Sequence, residues 1–273
     1  DENIVMGHCA VKKNLAEDII GELGVAFVKP EYRGGGIFVK MTEALFSKCR
    51  EIGLAGTYAR SVTSHTISQK ICFNFNMKAC AILFAAFPET NFKGLAETAP
   101  QRESGIVFYF PFAARETYNV YPPARHRAAV EKIYANLGIS VKISSAKDVA
   151  GLKLSRNTIS SSTTHNVLNS ALIEISSYAP DTAAIIKHKV KQLCVEKIDV
   201  IYMHLDIENP HTESFSEEFE NSGFFFAGIL PCALNGYDAL ILQYLNNVNI
   251  DADRINIFSE DGREILKYIN SVR

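Results

Sequence analysis

Short apolar runs and amphipathic helix patterns alternate along this 273-residue chain, and this alternation is the strongest constraint on its fold. The run Ile20–Val28 has the length of a strand, whereas Met41, Leu45 and Cys49 recur at the spacing of one buried helix stripe. Strands that alternate with helices predict an α/β fold with a mixed sheet. In the first half, strands are predicted at 4–11, 20–28, 56–62, 79–87 and 106–112, and helices at 37–52 and 66–75.

The second half repeats this order of elements. Near the boundary between the halves lies Tyr121-Pro122-Pro123, where two prolines remove backbone donors and disfavour helix in the preceding residues. We therefore predict a tandem duplication, with one domain at 1–118 and a second at 119–273. In the second half, helices are predicted at 126–137, 182–195 and 213–221, and strands at 154–160, 167–176, 200–207, 224–230 and 239–245.

Composition and charge exclude several classes of function. The 28 basic against 30 acidic residues, with no basic run, give no electrostatic footprint for nucleic acid. The six cysteines never have CxxC spacing and the histidines never have HxxxH spacing, so we predict no metal and a reducing, cytoplasmic setting. The longest apolar tract, 224–245, is broken by Pro231, Asn235 and Asp238, so no membrane span or signal peptide is predicted.

The segment with the clearest chemistry is a glycine triplet between a strand and a helix. Gly34, Gly35 and Gly36 let backbone amides approach a bound group, and the helix start after them favours an anion. Arg33 adds a cation, so a phosphate or pyrophosphate is the preferred ligand. The plain alternative is a glycine-rich turn without a ligand. The segment matches neither a Walker loop nor a GxGxxG motif.

The stretch from Val28 to Ile37, followed by a helix, a strand and residues 63–70, resembles the acetyl-CoA-binding core of the GNAT superfamily of N-acyltransferases. The family pattern is Arg/Gln-x-x-Gly-x-Gly/Ala, which Arg33 and Gly36 match and Phe38 does not. The resemblance implies that the loop amides hold the pyrophosphate of CoA and that the preceding strand pairs with its pantetheine arm. The cofactor-binding residues it implies are Phe27, Val28, Arg33, Gly34, Gly35, Gly36, Ile37, Phe38 and Ser68.

The resemblance also implies catalytic residues, and each has a plain alternative. Glu22 lies where some family members keep a carboxylate that accepts the amine proton, but it reads equally as an outward-facing strand residue. His65 could act as a base or simply cap a helix. Cys72 occupies the position of the family's general-acid tyrosine, although a free cysteine is usually an inert core residue.

The function that these residues favour is transfer of an acetyl group from acetyl-CoA to an amine on a small molecule or peptide. Three features favour the alternative of a non-catalytic acyl-CoA sensor. They are the missing tyrosine, Phe38 at the third position of the loop pattern, and residues 176–181 of the second half, which lack an arginine and glycines. We expect the second half not to hold CoA. A third reading is homo-oligomerisation through the apolar runs 224–226 and 240–242. Because the chain begins at Asp1, we expect that the first elements of the fold, which shape the acceptor pocket, precede this sequence.

Overall fold

The computed structural model describes residues 4–90 and 101–273, which form one large mixed sheet with helices packed against it. The predicted fold class is therefore confirmed. In these ranges the helices are α1 Ile37–Glu51, α2 Ile67–Asn74, α3 Arg127–Leu137, α4 Thr182–Val195, α5 Thr212–Asn221 and α6 Glu260–Val272. The strands are β1 Gly7–Lys12, β2 Ile20–Val28, β3 Gly56–Val62, β4 Lys78–Phe87, β5 Glu103–Pro111, β6 Tyr118–Val120, β7 Val141–Ile143, β8 Ile159–His165, β9 Ser170–Ser177, β10 Val200–Asp206, β11 Phe225–Leu234 and β12 Tyr237–Leu245.

The two halves of the chain share a single ten-stranded sheet. Its order is β1-β2-β3-β5-β4 from the first half, followed by β11-β12-β10-β9-β8 from the second. Counted from its outer edge inward, each half has the same order: its first, second, third, fifth and fourth strand. The fourth strands of the two halves, β4 and β11, are neighbours in the middle of the sheet. Strands β6 and β7 form a separate parallel pair, and the predicted domain boundary at 118/119 falls inside β6.

Backbone conformation repeats along with strand order. Ala85 and Cys232 have left-handed φ values of 54° and 56°, and each is the eighth residue of its ten-residue strand. Asn76 and Gly223, with φ values of 58° and 101°, each lie two residues before those strands. Matched irregularities at matched positions support an internal duplication. The division into two domains stays a prediction, and the core is continuous across both halves.

The central junction uses little backbone pairing. Gly228 opposite Ala81 is the paired position between β11 and β4 in the described structure. Side chains complete the contact: Gln243, fully buried, accepts from the Phe84 amide at 2.8 Å and donates to the Ile82 carbonyl at 3.2 Å. The Tyr202 hydroxyl donates to the Phe84 carbonyl at 2.9 Å. These bonds satisfy buried backbone groups that a longer strand ladder would otherwise satisfy.

Helices α1 and α2 pack on one face of the first half of the sheet. Phe46 of α1 packs against Phe110 at a centroid distance of 5.3 Å, and Ser61 of β3 contacts α2. Because side chains alternate along a strand, Tyr58 and Arg60 of β3 project from the other face. Most predicted elements are confirmed, and β2, β3 and α4 have the predicted bounds.

Two parts of the second half differ from prediction. The strand predicted at 154–160 is wrong: β8 begins at Ile159, because it is an exposed edge strand of serine and threonine with no apolar run to mark it. Helix α6, which the sequence analysis omitted, is capped by the Ser259 hydroxyl. The apolar run 224–226 lies at the start of β11 and the run 240–242 lies within β12. All six side chains are buried, so they offer no exposed surface for oligomerisation.

We expect Gly228→Ala to destabilise the protein by about 2 to 4 kcal/mol, because the new methyl carbon would lie 2.3 Å from the Cys80 carbonyl oxygen at a φ of 138°. Urea unfolding monitored by circular dichroism measures the change. Gly35→Ala is the matched control, since its added methyl meets no atom within 4 Å. Equal stability of the two variants would contradict the proposed tightness of the junction.

Candidate active site

Strands β2 and β3 part after a short parallel contact. They pair only at Ile20, Gly21 and Glu22 among the described residues, while β2 continues to Val28. On its other edge, β2 stays paired to β1 as far as Val28, through a bulge in which Val25 has a φ of 50°. The backbone of residues 23–28 therefore has no strand partner on the β3 side. An extended ligand could pair there as an added strand does.

The opening leads to the glycine triplet at the start of α1. Gly36 is the N-cap residue, with no side-chain cap and no acidic residue in the first turn of the helix. A Cβ built on Gly34, Gly35 or Gly36 would meet nothing within 4 Å, so the main chain is open to approach here. The first amides of α1, at Ile37 and Phe38, therefore present the positive end of the helix dipole to this open space.

Arg33 joins this loop to the end of β2. Its Nε donates to the Val28 carbonyl at 3.1 Å, and the side chain is exposed. One guanidinium edge is thus anchored next to the open helix start, which is the arrangement that binds a phosphate oxygen. Phe27 on the same strand is 50% exposed and leaves an apolar surface beside the opening. The structure brings the predicted cofactor residues from 27 to 38 into one neighbourhood.

Glu22 lies at the point where the two strands part. Both of its carboxylate oxygens accept from Arg60, with Oε1 to Nε at 2.6 Å and Oε2 to Nη2 at 3.0 Å. A carboxylate oxygen has two lone pairs, so each oxygen keeps one for a further donor. The role of Glu22 as a proton acceptor stays a prediction. Arg60 is a site residue that the sequence analysis missed, because its pairing depends on the register of two distant strands.

The turn before α2 holds two other predicted residues. His65 Nδ1 accepts from the Ile67 amide at 3.3 Å, which is the capping alternative given above. The Ser68 hydroxyl, and that of nearby Ser64, are buried without a hydrogen-bond partner among the described residues. Buried hydroxyls without a partner are uncommon in proteins, so both are suited to receive a ligand group. The catalytic role of His65 and the cofactor role of Ser68 stay predictions.

Cys72 is a buried residue of α2. Its sulfur lies 3.5 Å from the Ser61 hydroxyl, and burial raises the pKa of the thiol to about 11. A thiol of that pKa stays protonated at neutral pH, but it is a weak acid for a leaving thiolate with a pKa near 8.5. These properties favour the core reading of Cys72. Its catalytic role stays a prediction.

In the second half, β9 and β10 correspond to β2 and β3, and no gap opens between them. Strands β9 and β10 pair at six consecutive positions, from Ser170 to Ile175, so they do not part as β2 and β3 do. The loop that follows is filled by Tyr178, which is 1% exposed and bonded to Thr212. Thr182 accepts from the Ala179 amide. These contacts support the expectation that this half does not hold CoA.

In residues 4–90 and 101–273, no three or more His, Cys, Asp or Glu side chains are grouped as a metal site would require. None of the helices in these ranges combines the length and apolar character needed to cross a membrane.

Part of the chain is similar to solved acetyltransferase structures. The ribosomal-protein-S18-alanine N-acetyltransferase of Escherichia coli is 16% identical, and the match covers 42% of this chain and 67% of that protein at a TM-score of 0.34. A GNAT-family acetyltransferase of Staphylococcus aureus is 15% identical over 40% of this chain and 61% of its own, at a TM-score of 0.28. A third match, 15% identical, is the NatC complex bound to Gag peptide and CoA; it covers 41% and 65% at a TM-score of 0.33.

The chain thus spans 61% to 67% of the lengths of these three structures. No family model matches the sequence, and no curated protein matches it. Two of the three are described as acetyltransferases, and the Staphylococcus aureus protein as a member of the GNAT family. Assignment of this chain to that superfamily, like its activity, is part of the proposed function.

We expect Cys72 to resist alkylation in the native protein. With a pKa raised to about 11, only about one thiol in a thousand is ionised at pH 8, and the sulfur is buried as well. Mass spectrometry after iodoacetamide treatment should find Cys72 modified only when urea is present. Cys194, which is partly exposed, is the internal control. Labelling of both cysteines at similar rates would show that Cys72 is accessible and reactive.

Proposed function

We propose that this chain belongs to the GNAT superfamily and is a CoA-dependent N-acyltransferase, which transfers an acetyl group from acetyl-CoA to an amine. The observation that carries the proposal is the continuous path from the parted strands β2 and β3 to the open glycine triplet and Arg33. This path offers backbone partners for an extended arm and, at its end, amides and a cation for a diphosphate.

Different residues along this path would bind different parts of acetyl-CoA. The amides from Gly34 to Phe38 would hold the pyrophosphate, with Arg33 contributing a charge-assisted bond. The backbone of residues 23–27, on its β3 side, would pair with the pantetheine arm, and the exposed Phe27 would cover its apolar part. Bound acetyl-CoA supplies the activated thioester. Its reactive end would then point along β2 toward Glu22.

The proposed transfer needs one proton acceptor and one proton donor. The amine nitrogen forms a bond to the acyl carbon as the carbon–sulfur bond breaks, and CoA leaves as a thiolate. A remaining lone pair of Glu22 accepts the amine proton, directly or through water, and solvent returns a proton to the thiolate. The raised pKa of Cys72 disfavours it as the donor.

A second candidate function is a non-catalytic acyl-CoA sensor. The observation that favours it is the occupation of both Glu22 oxygens by Arg60. It predicts acetyl-CoA binding without turnover, whereas the enzyme predicts release of CoA thiol in the presence of an amine. A thiol-release assay across a panel of primary amines separates the two functions.

We expect Arg33→Ala to weaken acetyl-CoA binding by about 10- to 100-fold, the typical effect of losing a charge-assisted hydrogen bond. Isothermal titration calorimetry measures the affinity. Lys48→Ala is the matched control, because Lys48 is an exposed cation at the far end of the same helix, paired with Glu51. Absence of acetyl-CoA binding by the wild-type protein would remove the proposal altogether.

A second variant tests the main chain rather than the charge. We expect Gly35→Val to abolish acetyl-CoA binding, because its side chain would occupy the open space at the helix start, while the fold is kept. Circular dichroism checks the fold, and the same calorimetry checks the binding. Unchanged affinity would place the diphosphate elsewhere.

A further inference from the structure

One cavity of the described structure contains the Glu22 carboxylate. It has a volume of about 140 Å³, and both halves of the chain contribute to its lining. Glu22 and Arg60 come from β2 and β3, whereas Tyr202 and Leu230 come from β10 and β11. A molecule bound in this cavity would therefore meet the carboxylate that we propose as the proton acceptor.

The buried part of the lining is mostly aliphatic. The buried aliphatic residues are Leu83, Val107, Leu230 and Ile241. Strand register joins them to the ion pair described above, because Val107 of β5 lies opposite Arg60 of β3 in an antiparallel ladder. Residues opposite each other in such a ladder project from the same face of the sheet. An apolar surface therefore begins directly beside the Glu22–Arg60 pair.

Most polar groups of the lining lie at the rim or are already bonded. Lys12, Asn14 and His165 are exposed. The Tyr202 hydroxyl donates to the Phe84 carbonyl at 2.9 Å, so this donor is used within the protein. An apolar interior with a few polar groups is the usual form of a site for a small molecule.

The charges around the cavity favour a ligand with one amino group. Among the described residues that line it, Glu22 is the one carboxylate, and Lys12 and Arg60 are the cations. An amino group can lie at Glu22, since each carboxylate oxygen keeps a lone pair beside its bond to Arg60. A second ammonium group would have no carboxylate of its own here, and burial of an unpaired charge is strongly unfavourable.

The volume of the cavity limits the size of the ligand. An apolar cavity of about 150 Å³ is large enough to bind benzene. The present cavity, at about 140 Å³, is close to that size. It is well below the roughly 300–1,000 Å³ of pockets for drug-sized molecules. A larger ligand would enter only if the walls moved.

We infer that this cavity binds the acceptor, and that the acceptor is a small primary monoamine with a compact aliphatic body, of about six non-hydrogen atoms in all. The inference rests on the proposed function for the reaction at Glu22. The amino group lies at Glu22, and the aliphatic body contacts Val107 and Leu230. Leu172 of β9 sets the size limit from the second half, since it is partly buried and lines the same cavity.

The first test compares 3-methylbutylamine with 1,4-diaminobutane, which has the same number of non-hydrogen atoms but ends in a second amino group. Calorimetry on the full chain should give about 10-fold tighter binding, or more, for the monoamine, because the diamine brings an unpaired charge into an apolar cavity. Equal affinity for the two amines, or tighter binding of the diamine, would overturn the inference.

The second test changes the wall. Leu172→Ala should weaken binding of 3-methylbutylamine about 5- to 10-fold by removing apolar contact. The same variant should bind the bulkier 2-cyclohexylethylamine more tightly than the wild-type protein does, because its cavity is larger. Leu266→Ala is the matched control: Leu266 is a partly buried leucine of α6 that packs against the core but does not line this cavity. It should leave both affinities unchanged. An unaltered size preference in Leu172→Ala would place the acceptor elsewhere.

Failure of this inference differs from failure of the proposed function. Release of CoA thiol with amines regardless of their size and charge, and regardless of Leu172, leaves the function standing and removes the acceptor class. Binding of 3-methylbutylamine that depends on Leu172, in a protein that does not bind acetyl-CoA, supports the amine cavity and removes the transferase.

Discussion

The contact between β4 and β11 is the constraint on which the rest of the molecule depends. Gly228 lets the two backbones approach closely, and Gln243 and Tyr202 bond to the backbone of β4 where the ladder does not continue. This contact joins two five-stranded units into one sheet. Without it, the two halves would form separate sheets.

The two halves show how one strand order can give two different local structures. The same strand order gives an open pair in the first half, between β2 and β3, and a closed pair in the second, between β9 and β10. The difference lies in the loop that follows. Three glycines leave the first loop open, whereas Tyr178 and Thr182 fill the second with their own side chains and hydrogen bonds.

Local pattern in the sequence predicted the elements well and their assembly poorly. Strand β2 and helices α1 and α4 have strong periodicity and clear end signals, so their predictions are confirmed. Strand β8 lacks an apolar face, so its position was predicted wrongly. The glycine loop could be predicted from the sequence because its glycines, its arginine and the helix start all lie within ten consecutive residues. The Glu22–Arg60 pair could not be found in this way, since it joins two strands whose register no local pattern specifies.

Strand β2 borders two separate spaces, one through its main chain and one through a side chain. Its main chain borders the cleft beside α1, and the Glu22 side chain lines a cavity of about 140 Å³ together with Arg60. A molecule that pairs with this strand would therefore also fix where the carboxylate stands. Binding on one side of the strand would then be coupled to binding on the other.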